Sequence, residues 1–198
     1  MRSGVSETGD RVRIELDDWL PSPALRVAHQ RRSSAPAPML WRAASRLRLS
    51  DTPMLGRLVQ WRIPGLARDE SFSQLFHEPP FLVLAEHDQA LVCGLVGRIW
   101  TLRRDYPELA DRNAFRRWSQ AGTARVVIAT WVREDDRGAA LCSEARVEAI
   151  GAQGQIGVAA VRPLVRAFQH LVGTEALRAA VRSAERAGDP AIPTRPRG

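Results

Sequence analysis

Residues 157–187 read GVAAVRPLVRAFQHLVGTEALRAAVRSAERA and carry the longest helical pattern in the chain. Apolar residues recur there every three or four positions, which predicts one continuous apolar stripe along a helix. The stripe consists of Val161, Leu164, Val165, Phe168, Leu171 and Val172. The opposite side is predicted to carry Arg162, Arg166, Gln169 and His170. Gly173 is expected to kink this helix or to divide it in two.

The residues before this helix predict strands and short helices that the stripe could cover. Alternating polarity over residues 25–33 predicts a first strand. Two short helices are predicted over residues 39–49 and 54–60, each preceded by proline. Residues 66–79 are expected to be irregular, and residues 151–154 are expected to form a turn. A pattern of period two predicts antiparallel strands over residues 81–86, 90–100, 124–133 and 139–150.

This order of elements predicts the architecture. A helix that follows a run of antiparallel strands can bury its apolar stripe by packing across the concave face of their sheet. The predicted fold class is therefore α+β, with a curved antiparallel sheet wrapped around a long C-terminal helix and two short helices after the first strand. Such a sheet is expected to leave a cavity between itself and the helix.

Three regions are expected along the chain. Residues 1–20 are predicted to be an N-terminal arm, in which residues 11–16 alternate like a short edge strand. Residues 21–187 are predicted to form one domain. Residues 188–198 contain three prolines and are predicted to be a disordered tail.

The charge balance bears on possible partners. The net charge is +7, and all 29 basic residues are arginine, scattered along the chain in short pairs. This scatter favours a solvated basic surface over a nucleic-acid groove. No run approaches the roughly 18 apolar residues of a membrane span, and the polar start lacks the apolar core of a secretory signal. A cytoplasmic location is therefore expected.

Cysteine and histidine spacing indicates neither a metal site nor a redox cofactor. Cys93 and Cys142 lie in apolar, strand-like runs and are expected to be reduced and buried. A disulfide between them would require neighbouring strands in the right register. The four histidines are widely separated and have no Ser, Cys or Asp at catalytic spacing, so the catalytic residues remain unknown.

Three segments resemble the helix-grip fold of the START-like superfamily, which includes polyketide cyclase-like proteins and lipid-transfer domains. Residues 35–41, APAPMLW, are similar to the entry to that family's first helix. Residues 91–100, LVCGLVGRIW, resemble a strand of uncharacterised actinobacterial members, and residues 142–147, CSEARV, resemble their "T-E-T-R-V" strand. The resemblance covers about residues 25–187. Ala145 stands where the family has its second Thr, so a catalytic Thr at that position is excluded.

The resemblance implies an internal cavity that holds an apolar or amphipathic ligand. It also implies that the two short helices, with Trp41 and Trp61, form the mouth of the cavity, where these residues would gate it or anchor the helices. Candidate residues for an apolar lining are Met54, Leu58, Trp100, Trp131 and Phe168. The same side chains would equally serve to fill an ordinary core.

Charged candidates lie on two predicted strands. Glu144 and Arg146 share one strand face by alternation, as do Arg98 and Trp100 on another strand. If these faces lie under the helix, Glu144 would pair with Arg98 or Arg146 inside the cavity and orient a polar ligand head. The alternative is a charged outer face with Val147 and Ala149 pointing inward, because an unpaired buried charge is costly.

The sequence thus favours binding of an apolar or aromatic small molecule, lipid-like or polyketide-like, in a cavity between the sheet and the C-terminal helix, without a cofactor. One alternative is a cyclase or hydrolase that uses Arg and Glu side chains in that cavity. The other is a protein-interaction module whose working surface is the sheet. The oligomeric state and the identity of the ligand do not follow from the sequence.

Overall fold

Five strands form one antiparallel sheet in the computed structural model, which describes residues 7–63, 65–101, 105–135 and 138–188. They lie in the order β1-β5-β4-β3-β2, so the first and last strands of the chain are neighbours. Hairpins join β2 to β3 and β4 to β5. The strands are β1 (Leu25–Ser33), β2 (Leu82–His87), β3 (Ala90–Gly97), β4 (Thr123–Asp135) and β5 (Gly138–Ile150).

Helices pack around this sheet, and the two short helices predicted after the first strand begin within two residues of their predicted positions. The predicted strands are confirmed, and β1 has its predicted bounds. One segment expected to be irregular contains a short helix, α4, because the Ser71 Oγ accepts a hydrogen bond from the backbone N–H of Gln74 at 3.1 Å and caps its start. The helices before the C-terminal segment are α1 (Glu7–Trp19), α2 (Ala37–Ser45), α3 (Pro53–Arg62), α4 (Phe72–His77) and α5 (Arg112–Arg117).

The C-terminal helix has three consecutive parts. They are α6 (Gly151–Leu171), a π-helical turn (Val172–Ala176) and α7 (Leu177–Gly188). The π-helical turn contains Gly173, the position where a division is expected. The turn predicted over residues 151–154 is wrong, because Gly151 has a φ of +73° and α6 starts directly after the last residue of β5.

Close contacts hold the C-terminal helix against one face of the sheet, which we call the inner face. A Cβ atom at Gly157 would lie 2.3 Å from the ring of Trp100, and one at Gly173 would lie 2.8 Å from Nδ1 of His29. Glycine at position 173 therefore lets the helix approach β1 closely, and glycine at position 157 lets it approach Trp100, which follows the end of β3. The predicted α+β fold is confirmed as a helix-grip fold, with the sheet wrapped around the C-terminal helix.

The opposite face of the sheet, the outer face, is covered by α1. The side chains of Val12, Leu16, Trp19 and Leu20 are buried against it, with Trp131 and Phe115. The edge strand predicted over residues 11–16 is wrong, because the apolar residues of this region recur at helical spacing. The division of the chain into residues 1–20, 21–187 and 188–198 stays a prediction, and residues 1–6 and 189–198 lie outside the described residues.

Over the described ranges, no helix combines the length and the apolar character that crossing a membrane requires.

Burial of α1 predicts that Leu16→Ala lowers the free energy of unfolding by roughly 2–5 kcal/mol, because it opens a cavity at a fully buried position. Urea denaturation measures this change. Arg13→Ala, on the exposed side of the same helix, is the matched control and should change stability by less than about 0.5 kcal/mol. Equal stabilities of the two variants would contradict the packing of α1 on the sheet.

Candidate functional site

A cavity of about 270 Å³ lies between the inner face of the sheet and the C-terminal helix. This volume is close to the lower end of the roughly 300–1,000 Å³ that is usual for ligand pockets. The three central strands supply one wall, and α6 with α7 supplies the opposite wall. Residues of α3 and α4 close the sides.

Strand alternation selects the residues that form the sheet wall. On β5 the inner residues have odd numbers, and on β4 they have even numbers, because these two strands pair in one unbroken register. The wall is therefore aliphatic except at two neighbouring positions, Thr130 and Ser143, which are cross-strand partners. The wall residues of these strands are Val126, Ile128, Thr130, Leu141, Ser143, Ala145 and Val147.

The cavity has a mouth between α3 and α6. Trp61 and Leu164 both line the cavity, and they are 58% and 52% exposed. Large apolar side chains that are half exposed mark the place where the apolar wall reaches solvent. Trp61 thus lies at the mouth, as the resemblance implies, whereas Trp41 packs between α2 and α7 and contributes to a separate core cluster.

Gln169 is a buried polar residue on the last turn of α6. It lines the cavity, it is 3% exposed, and its Oε1 has no hydrogen-bond partner among the residues that the structure describes. The helical pattern placed Gln169 on the polar side of the helix, and that placement is wrong. The sequence signal was ambiguous, because Gln169 follows Phe168 directly and lies at the border of the apolar stripe.

His29 continues the polar positions of the sheet wall. It pairs with Ser143, which pairs with Thr130, so these residues form one row across β1, β5 and β4. The Nε2 atom of His29 is buried and has no hydrogen-bond partner within the described part of the chain. Burial lowers the pKa of His29, and the electrostatic effect of nearby His170 lowers it further. His29 is therefore neutral at pH 7.

Two of the predicted lining residues contact the cavity. Leu58 lines it from α3, and Phe168 lines it from α6. Met54 lies in the first turn of α3 and is 63% exposed, outside the lining. Arg98 and Trp100 also lie outside it, because β3 ends at Gly97 and its strand alternation ends there.

Arg98 and Trp100 contact residues that do not line the cavity. The Arg98 Nη1 lies 3.5 Å from Oδ2 of Asp105, and both side chains are exposed. The ring of Trp100 packs against Gly157 at the start of α6. The prediction that Met54, Arg98 and Trp100 line the cavity is therefore wrong.

Trp131, Glu144 and Arg146 lie on the outer face, so the prediction that they line the cavity is also wrong. Strand alternation gives the reason, because Ser143, Ala145 and the other odd positions of β5 face inward. The alternative prediction, a charged outer face with Val147 pointing inward, describes the orientation of this strand correctly. That face is nevertheless buried beneath the N-terminal residues.

An ion network occupies this buried outer face. Glu144 and Arg146 are each 2% exposed, and the Arg146 Nε donates to Oε1 of Glu144 at 2.7 Å. The Arg146 Nη1 donates to Oδ1 of Asp17 at 2.6 Å and to the carbonyl oxygen of Leu20 at 3.1 Å. Arg26 Nε lies 2.8 Å from Oε1 of Glu144. The predicted pairing of Glu144 with Arg98 is wrong, and this network attaches the N-terminal segment to the sheet.

Because the charge of Glu144 is buried, Arg146→Met should lower the free energy of unfolding by roughly 3 kcal/mol or more. The double variant Glu144→Leu/Arg146→Met removes both charges and should recover much of that loss. Chemical denaturation measures all three proteins. Arg166→Met, at an exposed position of α6, is the control. A single variant as stable as the wild type would mean that these charges are hydrated in solution.

His29 predicts how stability depends on pH. Its pKa is lower in the folded protein than the unfolded value of 6.5, so protonation favours unfolding. The stability contributed by neutral His29 is present above 6.5 and is lost as the pH falls below that value. His29→Gln should therefore lose less stability than the wild type between about pH 7 and about pH 5 in denaturation measurements.

His77→Gln provides a control of opposite sign. A hydrogen bond with the Ser73 carbonyl raises the pKa of His77, and so does Glu86. The stability from His77 is present below 6.5 and is lost as the pH rises through the raised value. His77→Gln should therefore lose more stability on acidification than the wild type. Identical slopes for His29→Gln and the wild type would contradict the burial of Nε2.

The two cysteines lie in the interior of the protein. Cys93 and Cys142 are both free and buried. Burial raises the pKa of the Cys93 thiol to about 12, which leaves it protonated and unreactive at neutral pH. Over the same ranges, no group of three or more His, Cys, Asp or Glu side chains is placed to hold a metal ion.

Comparisons with known proteins show similarity at the level of solved structures. No protein-family model matches the sequence, and no curated protein matches it. A protein of Thermus thermophilus aligns over 83% of this chain and 100% of its own, with 14% identity and a TM-score of 0.34. A hypothetical protein of Helicobacter pylori aligns over 87% of this chain and 94% of its own, with 10% identity and a TM-score of 0.38.

A third solved structure is the Zhui aromatase/cyclase of Streptomyces sp. R1128. It aligns over 85% of this chain and 98% of its own, with 17% identity and a TM-score of 0.33. Similarities this low do not transfer an activity from one protein to another. The helix-grip assignment rests on the strand order of this protein and on the position of its C-terminal helix.

Proposed function

We propose that the protein binds an apolar small molecule in the cavity beneath its C-terminal helix. The observation that carries this proposal is the space of about 270 Å³ between two walls of aliphatic and aromatic side chains. Its mouth at Trp61 and Leu164 gives a ligand a route of entry. Membership of the START-like superfamily is part of the proposal, and the helix-grip fold supports it.

The driving force is burial of apolar surface. Each Å² of apolar surface that a ligand removes from water contributes about 25 cal/mol, on the ligand and on the wall alike. Leu58 and Phe168, which approach the cavity from two different helices, are proposed as ligand contacts. On the sheet wall of the cavity, Ala145 leaves room for the ligand because its side chain ends at Cβ.

The positions of the required residues do not support the two alternative functions, an enzyme of the cyclase or hydrolase type and a protein-interaction module. A cyclase or hydrolase of the predicted type needs Arg and Glu side chains inside the cavity, and Arg98, Glu144 and Arg146 lie elsewhere. An interaction module that used the sheet surface would need a free outer face, and α1 covers that face.

Filling the cavity should abolish binding. In Ala145→Phe, the new ring would occupy the space above the sheet wall, and the neutral fluorescent probe N-phenyl-1-naphthylamine should bind at least about tenfold more weakly than to the wild type. Ala28→Leu, at an exposed outer position of β1, is the matched control and should bind the probe like the wild type. Circular dichroism checks that both variants fold.

Native mass spectrometry of protein purified from its own host provides an independent readout. The wild type and Ala28→Leu should carry a small co-purifying mass that Ala145→Phe lacks. Failure of the folded wild type to bind the probe, together with the absence of any co-purifying mass, would overturn the proposed function.

A further inference from the structure

The walls of the cavity are electrically neutral. Among the described residues that line it, no side chain carries a carboxylate, guanidinium, ammonium or imidazole group. A charged ligand would lose its hydration there and find no counter-charge, which is far more costly than burying a neutral group. The cavity therefore selects against carboxylates and other ions.

One polar group inside these walls needs a partner. Gln169 is 3% exposed, it lines the cavity, and no described residue donates a hydrogen bond to its Oε1. Buried side-chain oxygens are nearly always hydrogen-bonded in folded proteins. A ligand that donates a hydrogen bond to Oε1 of Gln169 would satisfy this buried oxygen.

The chemistry of an amide narrows the class of ligand. The oxygen of a glutamine side chain accepts hydrogen bonds, its nitrogen donates them, and rotation by half a turn exchanges the two. Ethers and ketones accept without donating. A hydroxyl group both donates and accepts, so it can bond with the amide in either orientation.

The fold places this amide at the polar end of the sheet wall. Gln169 precedes Gly173 by four residues, or one helical turn, and Gly173 lies against His29. His29 belongs to the same row as Ser143 and Thr130. Leu164, at the mouth, lies about 7.5 Å further back along the helix axis. A ligand would therefore lie with its polar end inward and its apolar end at the mouth.

We propose that the ligand is a neutral apolar molecule with a hydroxyl group, and that Gln169 binds this hydroxyl at the inner end of the cavity. This inference rests on the proposed function and specifies its ligand class. Ser143 and Thr130 supply the hydroxyl groups of the row and complete the polar end of the site.

Competition with N-phenyl-1-naphthylamine tests this inference with three naphthalenes of similar shape. The wild type should bind 2-naphthol about tenfold more tightly than 2-methylnaphthalene, whose methyl group has nearly the size of the hydroxyl but makes no hydrogen bond. It should bind 2-naphthoate roughly a hundredfold more weakly than 2-naphthol.

Substitution of the amide should remove the preference. Gln169→Met keeps the side-chain length and should bind 2-naphthol and 2-methylnaphthalene within about twofold of each other. Gln120→Met, at an exposed glutamine, is the matched control and should retain the tenfold preference. The wild-type comparison stands by itself if Gln169→Met does not fold.

The outcomes separate the two proposals. If the wild type binds neither the probe nor any naphthalene, the proposed function fails. If it binds the probe but shows no preference for 2-naphthol, or if folded Gln169→Met keeps that preference, the inference about the hydroxyl is overturned and cavity binding stands.

Discussion

The ion pair between Glu144 and Arg146 determines which face of β5 is turned toward the C-terminal helix. Both side chains are 2% exposed, and their charges are satisfied where Asp17, Arg26 and the backbone of the N-terminal segment reach them. Turning the strand over would bury this pair in an aliphatic space, away from Asp17, Arg26 and the Leu20 carbonyl, at a cost of several kcal/mol. The odd residues of β5 therefore face inward and form the wall of the cavity.

The two faces of the sheet are consequently packed in different ways. The outer face forms a dense core with α1, in which Leu16 and Val92 are fully buried. The inner face leaves about 270 Å³ open, and at about 24 cal/mol per Å³ an empty space of that size would cost on the order of 6 kcal/mol. That cost is an upper bound, because the space is not fully enclosed at Trp61 and Leu164. Burial on the outer face supplies stability that the inner face lacks, and a bound apolar ligand would restore part of it.

Much of the fold follows from the sequence, because period-two and period-3.6 patterns depend on neighbouring residues. The strands, both hairpins and the division of the C-terminal helix near Gly173 were predictable in this way. The helical character of residues 7–19 was missed, since polar residues and a short alternation over residues 11–16 hid the spacing of Val12, Leu16 and Trp19. The helical spacing of Val12, Leu16 and Trp19 was nevertheless the signal in the sequence that could have identified this helix.

The residues of the site were less predictable, because the face of a strand that turns inward is decided by contacts with residues far away in the sequence. Glu144 and Arg146 alternate with apolar residues that are equally suited to either face. Their partner Asp17 lies far away in sequence, so local pattern could not choose between the two orientations. Leu58 and Phe168 line the cavity, whereas Met54, which the sequence places on the same helix as Leu58, is 63% exposed in the first turn of α3. Gln169 lies at the border of the apolar stripe of α6, where a small rotation about the helix axis decides whether a side chain faces solvent or the cavity.

Crystallography under xenon pressure tests most directly whether the inner face holds an unfilled apolar space while the outer face is solidly packed. Xenon enters dry apolar cavities and leaves close-packed cores empty. We expect xenon density between Ala145 and Phe168, and none around Trp131 on the outer face. Side chains filling the space beneath the C-terminal helix, with no xenon bound there, would contradict this division of the molecule.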